Sequence, residues 1–165
     1  MRFEEISKKL DRFTEIFSSD FEVFIIRTIL PPKRSLIKHW NNEGELPVPV
    51  RGDDIGNRSG VYFLLSDTDE ILYIGKATTN NIHERIWGHL KTPSIKENNE
   101  RYFPKNNFQN RGLNDSFVSM VTDGNIRVAA IEVVPSHISS LVEVYLHTVY
   151  FEHNGKIPEL NKQIG

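Results

Sequence analysis

Residues 60–77, GVYFLLSDTDEILYIGKA, read as two short strands around a polar turn. Val61, Phe63, Leu64 and Leu65 are strand formers, SDTDE turns the chain, and Ile71, Leu72 and Ile74 resume the pattern. A hairpin needs apolar residues and a turn. It has no need of a tyrosine in each strand, Tyr62 and Tyr73, nor of glycines at its outer ends, Gly60 and Gly75. Nor does it require Gly75-Lys76 where the second strand runs out. Those residues ask for a function.

Outward from the hairpin, IRVAAIEVV (126–134) reads as a buried strand. Pro135-Ser136 then leads into a helix, HISSLVEVYLHTVYFEH, with Ser136 as its cap. NNIHERIWGHL (80–90) is predicted to be helical, with an asparagine near its start. Residues 91–116 are polar, rich in Asn and interrupted by two prolines, which reads as a long insertion. Upstream, Phe3, Ile6, Leu10, Phe13 and Phe17 fall at helical spacing. FEVFIIRTIL (21–30) is a short apolar element, helix or strand, stopped by Pro31-Pro32, and KRSLIKHW (33–40) suits another helical turn or two. Pro47, Pro49 and RGDDIGNRSG make a long connection before the hairpin.

The expected fold class is α+β: a small three-stranded, mostly antiparallel sheet, made by the hairpin and strand 126–134 and flanked by helices. A helical amino-terminal extension at 1–50 precedes a domain at 51–165 that carries the basic insertion 91–116.

Composition narrows the function. With 165 residues, 38% hydrophobic and 25% charged, the chain is globular rather than disordered. The best apolar run, VFIIRTIL, is broken by Arg27 and falls short of a membrane span. MRFEEISKKLDRF has no apolar signal region, so a cytoplasmic protein without membrane attachment is expected. The absence of cysteine removes disulfides, thiolate zinc sites and thiol nucleophiles. Net charge is −2 overall, yet residues 76–111 carry seven basic groups against three acidic ones. That basic stretch begins where the hairpin ends.

Two helices carry the remaining chemistry. On 80–90, Ile82, Ile86 and Leu90 form an apolar stripe, while Arg85 and His89, four apart, lie side by side on its rim. On the later helix Leu141, Val142, Tyr145, Leu146 and Val149 make an apolar face, with Glu143 just past its edge and His147 beside it. The histidine spacings do not match an HExxH zinc motif, and no P-loop or G-x-S-x-G is present.

Together, Gly60-Val61-Tyr62, ten residues, Tyr73-Ile74-Gly75-Lys76, Arg85-x3-His89, helical Glu143 and a terminal PELN resemble the GIY-YIG nuclease family. The resemblance covers residues 60–161. It implies a metal-dependent DNA endonuclease, a phosphodiester hydrolase, whose two tyrosines point into a catalytic cleft. On that resemblance Tyr62 is the general base or water-orienting group and Tyr73 a phosphate-positioning hydroxyl. Arg85 stabilises charge in the transition state, His89 assists, and Lys76 lowers the tyrosine pKa or contacts phosphate. Glu143 is the sole protein ligand of one Mg²⁺ (or Mn²⁺) per active site, and Asn161 braces the site, with Asn154 as its rival. Gly60 and Gly75 let backbone or substrate approach closely. The alternative is a catalytically silent nucleic-acid-binding module on the same scaffold.

The chemistry is consistent with these residue types. A phosphodiester is anionic, so hydrolysis needs cations and an activated water. A single Mg²⁺ on one carboxylate suits that task. A tyrosine of ordinary pKa, about 10, is a weak base at neutrality unless a cation lies near it. In the insertion, Lys96, Arg101 and Lys105 are expected to grip DNA phosphates. Double-strand cleavage by one such site calls for two copies, hence a homodimer, or two binding events.

Overall fold

Phe3, Ile6, Leu10 and Phe13 recur every three or four residues and are all buried, and the chain is helical there as α1 (Phe3–Phe17). The Glu5 carboxylate accepts the Arg2 backbone N–H at 2.6 Å, and Glu4 and Glu5 in the first turn suit the helix dipole. The structure is a computed structural model that describes residues 1–34, 55–90, 94–95, 97, 101–102, 120 and 125–164. Beyond α1 the elements are β1 (Ile25–Arg34), β2 (Gly60–Leu65), β3 (Ile71–Ala77), α2 (Ile82–Leu90), β4 (Ser94–Ile95), β5 (Arg101–Tyr102), β6 (Arg127–Val134) and α3 (Ser139–Asn154).

The sheet has four strands in the order β1-β6-β2-β3, every pair antiparallel, with β4 and β5 forming a separate two-stranded sheet. The three-stranded sheet expected from the sequence gains β1, which comes from the segment expected to be a helical extension. Within the ambiguous run 21–30 a strand begins at Ile25 and continues through Pro31-Pro32. Proline cannot donate to a ladder and is tolerated at a sheet edge, which is where β1 lies, with register shifts around the pair. The reading of 33–40 as helical turns fails at Lys33 and Arg34, which end β1; residues 35–54 lie outside the described residues.

Both faces of the sheet are covered. One face packs Tyr62, Leu64, Val128 and Ala130 against Ile82 and Ile86 of α2. The other packs Val61, Phe63, Ile74, Ala129 and Ile131 against α1 and against Val142, Leu146 and Tyr150 of α3. Double coverage explains why β2 and β6 read as continuous apolar runs rather than alternating ones. The edge of α1 is locked by a T-shaped pair, Phe3 on Phe63 at 5.2 Å between ring centroids. Helix 1 therefore belongs to the same core as the hairpin.

A bulge sets the hairpin's faces. Leu64 pairs with Tyr73 but Leu65 pairs with Ile71, so Leu72 is the extra residue. Ile71 thereby faces α1 and α3, whereas Leu72 and Tyr73 both pack on the α2 side.

Candidate active site

Tyr62 and Gly75 are cross-strand partners, and a Cβ on Gly75 would lie 2.7 Å from Tyr62 Oη and 2.5 Å from Tyr73 Cε1. The glycine exists so that both phenol rings can lie over the backbone of β3. Gly60 serves a different approach: its φ is +154°, and a Cβ would fall 1.9 Å from the Ile131 carbonyl oxygen of β6. Both close approaches are made by the chain itself.

Above Gly75 the rings cluster. Tyr62 and Tyr73 centroids are 5.9 Å apart, and His89 of α2 sits 4.5 Å from Tyr73 and 5.8 Å from Tyr62. The Tyr62 hydroxyl is 3.0 Å from His89 Nε2. Tyr62 is completely buried, Tyr73 and His89 are half-buried, and Arg85 is exposed. Burial foremost, then the Tyr73 phenol, push the Tyr62 phenol well above its ordinary range; the positive charge of the nearby Arg85 guanidinium opposes this only in part. Tyr62 is thus a neutral phenol beneath the surface, and Arg85 and His89 share its rim as their spacing on α2 anticipates.

The helix α2 is aimed by its entry. Ser59 Oγ donates to Asn80 Oδ1 and accepts the Asn80 N–H, each at 2.8 Å, and the Ile82 N–H donates to the Arg58 carbonyl at 3.2 Å. Asn80 takes a positive φ of 56°, a conformation asparagine tolerates better than most residues.

Lys76, Glu143 and His147 gather on the opposite face of β3. Lys76 alternates with Gly75, and its Nζ lies 2.8 Å from Glu143 Oε2. The sequence puts Glu143 just outside the apolar face of α3; the structure buries it to 6% exposure and leaves Leu141 at 43%. Apolar residues surround this helix on several sides, so periodicity alone points its core face some way off. The ion pair has no hydrogen-bond geometry, leaving Glu143 Oε2 buried without a hydrogen bond. His147, one turn on, is fully buried with neither ring nitrogen in a hydrogen bond among the described residues. Burial pushes its imidazole below the ordinary value. The Glu143 carboxylate and the Ile74 backbone, which is near without meeting hydrogen-bond geometry, oppose that shift, and Lys76 adds to it.

Asn161 runs beside the free edge of β3. Its Oδ1 accepts the Ile74 N–H at 2.9 Å and its Nδ2 donates to the Ile74 carbonyl at 2.8 Å, while the Leu160 N–H donates to the Leu72 carbonyl. The side chain acts as a surrogate strand. Asn154 instead donates to the Tyr150 carbonyl and accepts from the amino terminus, away from the hairpin's polar row.

The fit of a metal can be tested on Glu143. Among the described residues no group of three or more His, Asp or Glu side chains could hold an ion. A single buried carboxylate oxygen without a hydrogen bond suits a hard divalent cation that keeps most of its waters. Lys76 is the counter-ion such a cation would displace.

Lys96 and Lys105 lie outside the described residues, and Arg101 opens β5 with its side chain undescribed. The sequence reading passed over Arg27, Arg58 and Glu132: Arg27 Nε donates to Glu132 Oε2 at 2.7 Å and Arg58 Nη1 to Oε1 at 2.5 Å. Only a lone glutamate inside an apolar strand could have signalled it. No helix among the described residues is long and apolar enough to cross a membrane. Comparisons of the chain with protein-family models, with curated proteins and with solved structures returned no match.

Proposed function

We propose that the chain is a metal-dependent DNA endonuclease of the GIY-YIG kind. The observation that carries this reading is the cluster of Tyr62, Tyr73 and His89 over Gly75, with the Arg85 guanidinium close enough to act on the Tyr62 phenol. A hairpin core has no use for that assembly; a phosphodiester does. Arg85, exposed at the rim, meets the phosphate and neutralises charge that grows in the transition state. Tyr73 offers a half-buried hydroxyl to a phosphate oxygen. Water adds to phosphorus and passes one proton to His89, while the bond from phosphorus to the sugar oxygen breaks and that oxygen leaves with its electron pair, taking a proton from solvent to become the free hydroxyl. Imidazole is the group whose ordinary pKa suits this transfer at neutrality. Tyr62, buried and protonated, fixes the plane of His89 from below, so the water-orienting role suits it better than that of base.

Glu143, on the other face of β3 from the tyrosines, would hold Mg²⁺ or Mn²⁺ on displacing Lys76, and a bound metal would supply Lewis acidity toward a phosphodiester reaching the end of that strand.

A silent nucleic-acid-binding module is favoured by one feature, the Lys76–Glu143 pair, which is complete without a metal. Incubation of the protein with supercoiled plasmid and Mg²⁺ separates the two. Nicking by the wild type that is lost in Glu143→Ala, with DNA affinity retained, supports the nuclease. Metal-independent binding with no nicking under Mg²⁺ or Mn²⁺ supports the module.

A further inference from the structure

We propose that Arg27 and Arg58, clasped by Glu132, form a seat for a backbone phosphate of the nucleic-acid strand, flanking the tyrosine cleft. The inference rests on the reading of DNA as substrate and adds a contact surface to it.

Glu132 is 8% exposed, and one cation would neutralise it. It has two, from separate segments of the chain, at 2.7 and 2.5 Å. The cluster is left with a net positive charge held at the surface, since the Arg27 side chain is 57% exposed and that of Arg58 39%. Burial resists ionisation of Glu132, and the hydrogen bonds from Arg58 and Arg27 outweigh it, so the carboxylate stays charged and the clasp stays closed. A guanidinium carries five N–H donors and spends only part of that fork on a carboxylate. Held in place beforehand, it loses less freedom on meeting a phosphate.

The ladder places the seat. Arg27 pairs with Glu132, and Glu132 with Gly60, in one row across β1, β6 and β2. The next row on the same face is Ala130, Tyr62 and Gly75. Two residues of strand separate these rows, about 6.6 Å. On the other side, the Arg58 carbonyl accepts the N–H of Ile82, one turn before Arg85. Arg27, Arg58 and Arg85 thus run along one side of the sheet beside the tyrosines. A backbone leaving the cleft toward β1 would cross the clasp.

The test is binding of a fluorescently labelled mixed-sequence duplex of about 20 base pairs, in chelator to prevent cleavage, over a salt series. Each lost phosphate contact lowers the salt slope by about 0.9. Arg27→Gln leaves Arg58 on Glu132, so the fold is preserved while the slope falls by about that amount and affinity weakens several-fold. Arg58→Gln is expected to do the same, and Arg12→Gln on the exposed face of α1, a matched charge loss, to change neither. If Arg58→Gln melts early, Arg27→Gln alone decides. Wild-type binding with slopes equal for Arg27→Gln and Arg12→Gln overturns the seat and leaves the nuclease reading standing. Absence of wild-type binding at any salt overturns both.

Discussion

The Tyr62 hydroxyl and His89 Nε2 lie 3.0 Å apart, with the phenol buried and the imidazole half in solvent. On the proposed nuclease reading, that order, phenol inside and imidazole outside, favours His89 for the proton transfer and Tyr62 for positioning. His89→Ala is expected to lower single-turnover cleavage by about 10²–10⁴-fold, the range of a lost general base. Tyr62→Phe should cost about tenfold, the equivalent of one hydrogen bond, with DNA affinity unchanged and the pH–rate profile displaced. Equal losses in the two variants would make the phenol itself the base.

The same burial predicts a stability change at high pH. The Tyr62 phenol is raised above its ordinary value of about 10, so above that pH the unfolded chain releases a proton that the folded chain keeps. Folding then binds more protons than unfolding, and stability, complete below about pH 10, falls as pH rises. Tyr150 is raised too, chiefly by burial, and contributes the same sign. Urea denaturation between about pH 9 and 11 should show Tyr62→Phe with a slope shallower by up to about 1.4 kcal/mol per pH unit. An identical slope would mean that Tyr62 ionises freely in the folded protein.

Lys76 and Glu143 make a pair that neither partner can leave cheaply. Glu143 is the more buried, so Lys76→Met strands a carboxylate and should destabilise by about 3–5 kcal/mol. Glu143→Gln leaves a half-buried ammonium that can still reach water, and should cost less. The double variant is expected to be more stable than Lys76→Met alone, a coupling that urea denaturation of the four proteins measures. Strict additivity would show that the ion pair does not form in solution.

How far the sequence discloses this arrangement depends on where the chemistry is local. The hairpin, α2 and the pairing of Arg85 with His89 follow from spacings within 30 residues, and each holds in the fold. Strand β1 does not, because its apolar run suits helix or strand and only the exposed edge of β6 decides. Glu143 reads as marginal since α3 is apolar on several sides; the depth of the carboxylate is set by how α3 rotates against β3. Arg27, Arg58 and Glu132 meet across 105 and 74 positions of sequence, beyond the reach of any motif. The bracing role of Asn161 could be suggested by the tail but distinguished from Asn154 only by which strand edge each one touches.

His147 brings the last expectation. It is fully buried, neither ring nitrogen is hydrogen-bonded among the described residues, and it faces Glu143, Lys76 and the Ile74 backbone. Burial depresses its pKa more than Glu143 and Ile74 restore it, with Lys76 opposing the charge as well. Between the depressed value and the ordinary one of about 6.5, the unfolded chain binds a proton that the folded chain does not. Stability is therefore complete above about pH 6.5 and is lost as pH falls through that window. His147→Leu removes the titrating group and two unpaired polar atoms while keeping an apolar side chain of similar bulk. Thermal melts should place this variant near the wild type at about pH 8 and above it at about pH 5. A uniform loss at both would show instead that the imidazole nitrogens hold a partner, a bound water bridging to Glu143 being the simplest, and that the histidine belongs to the polar site rather than to the core.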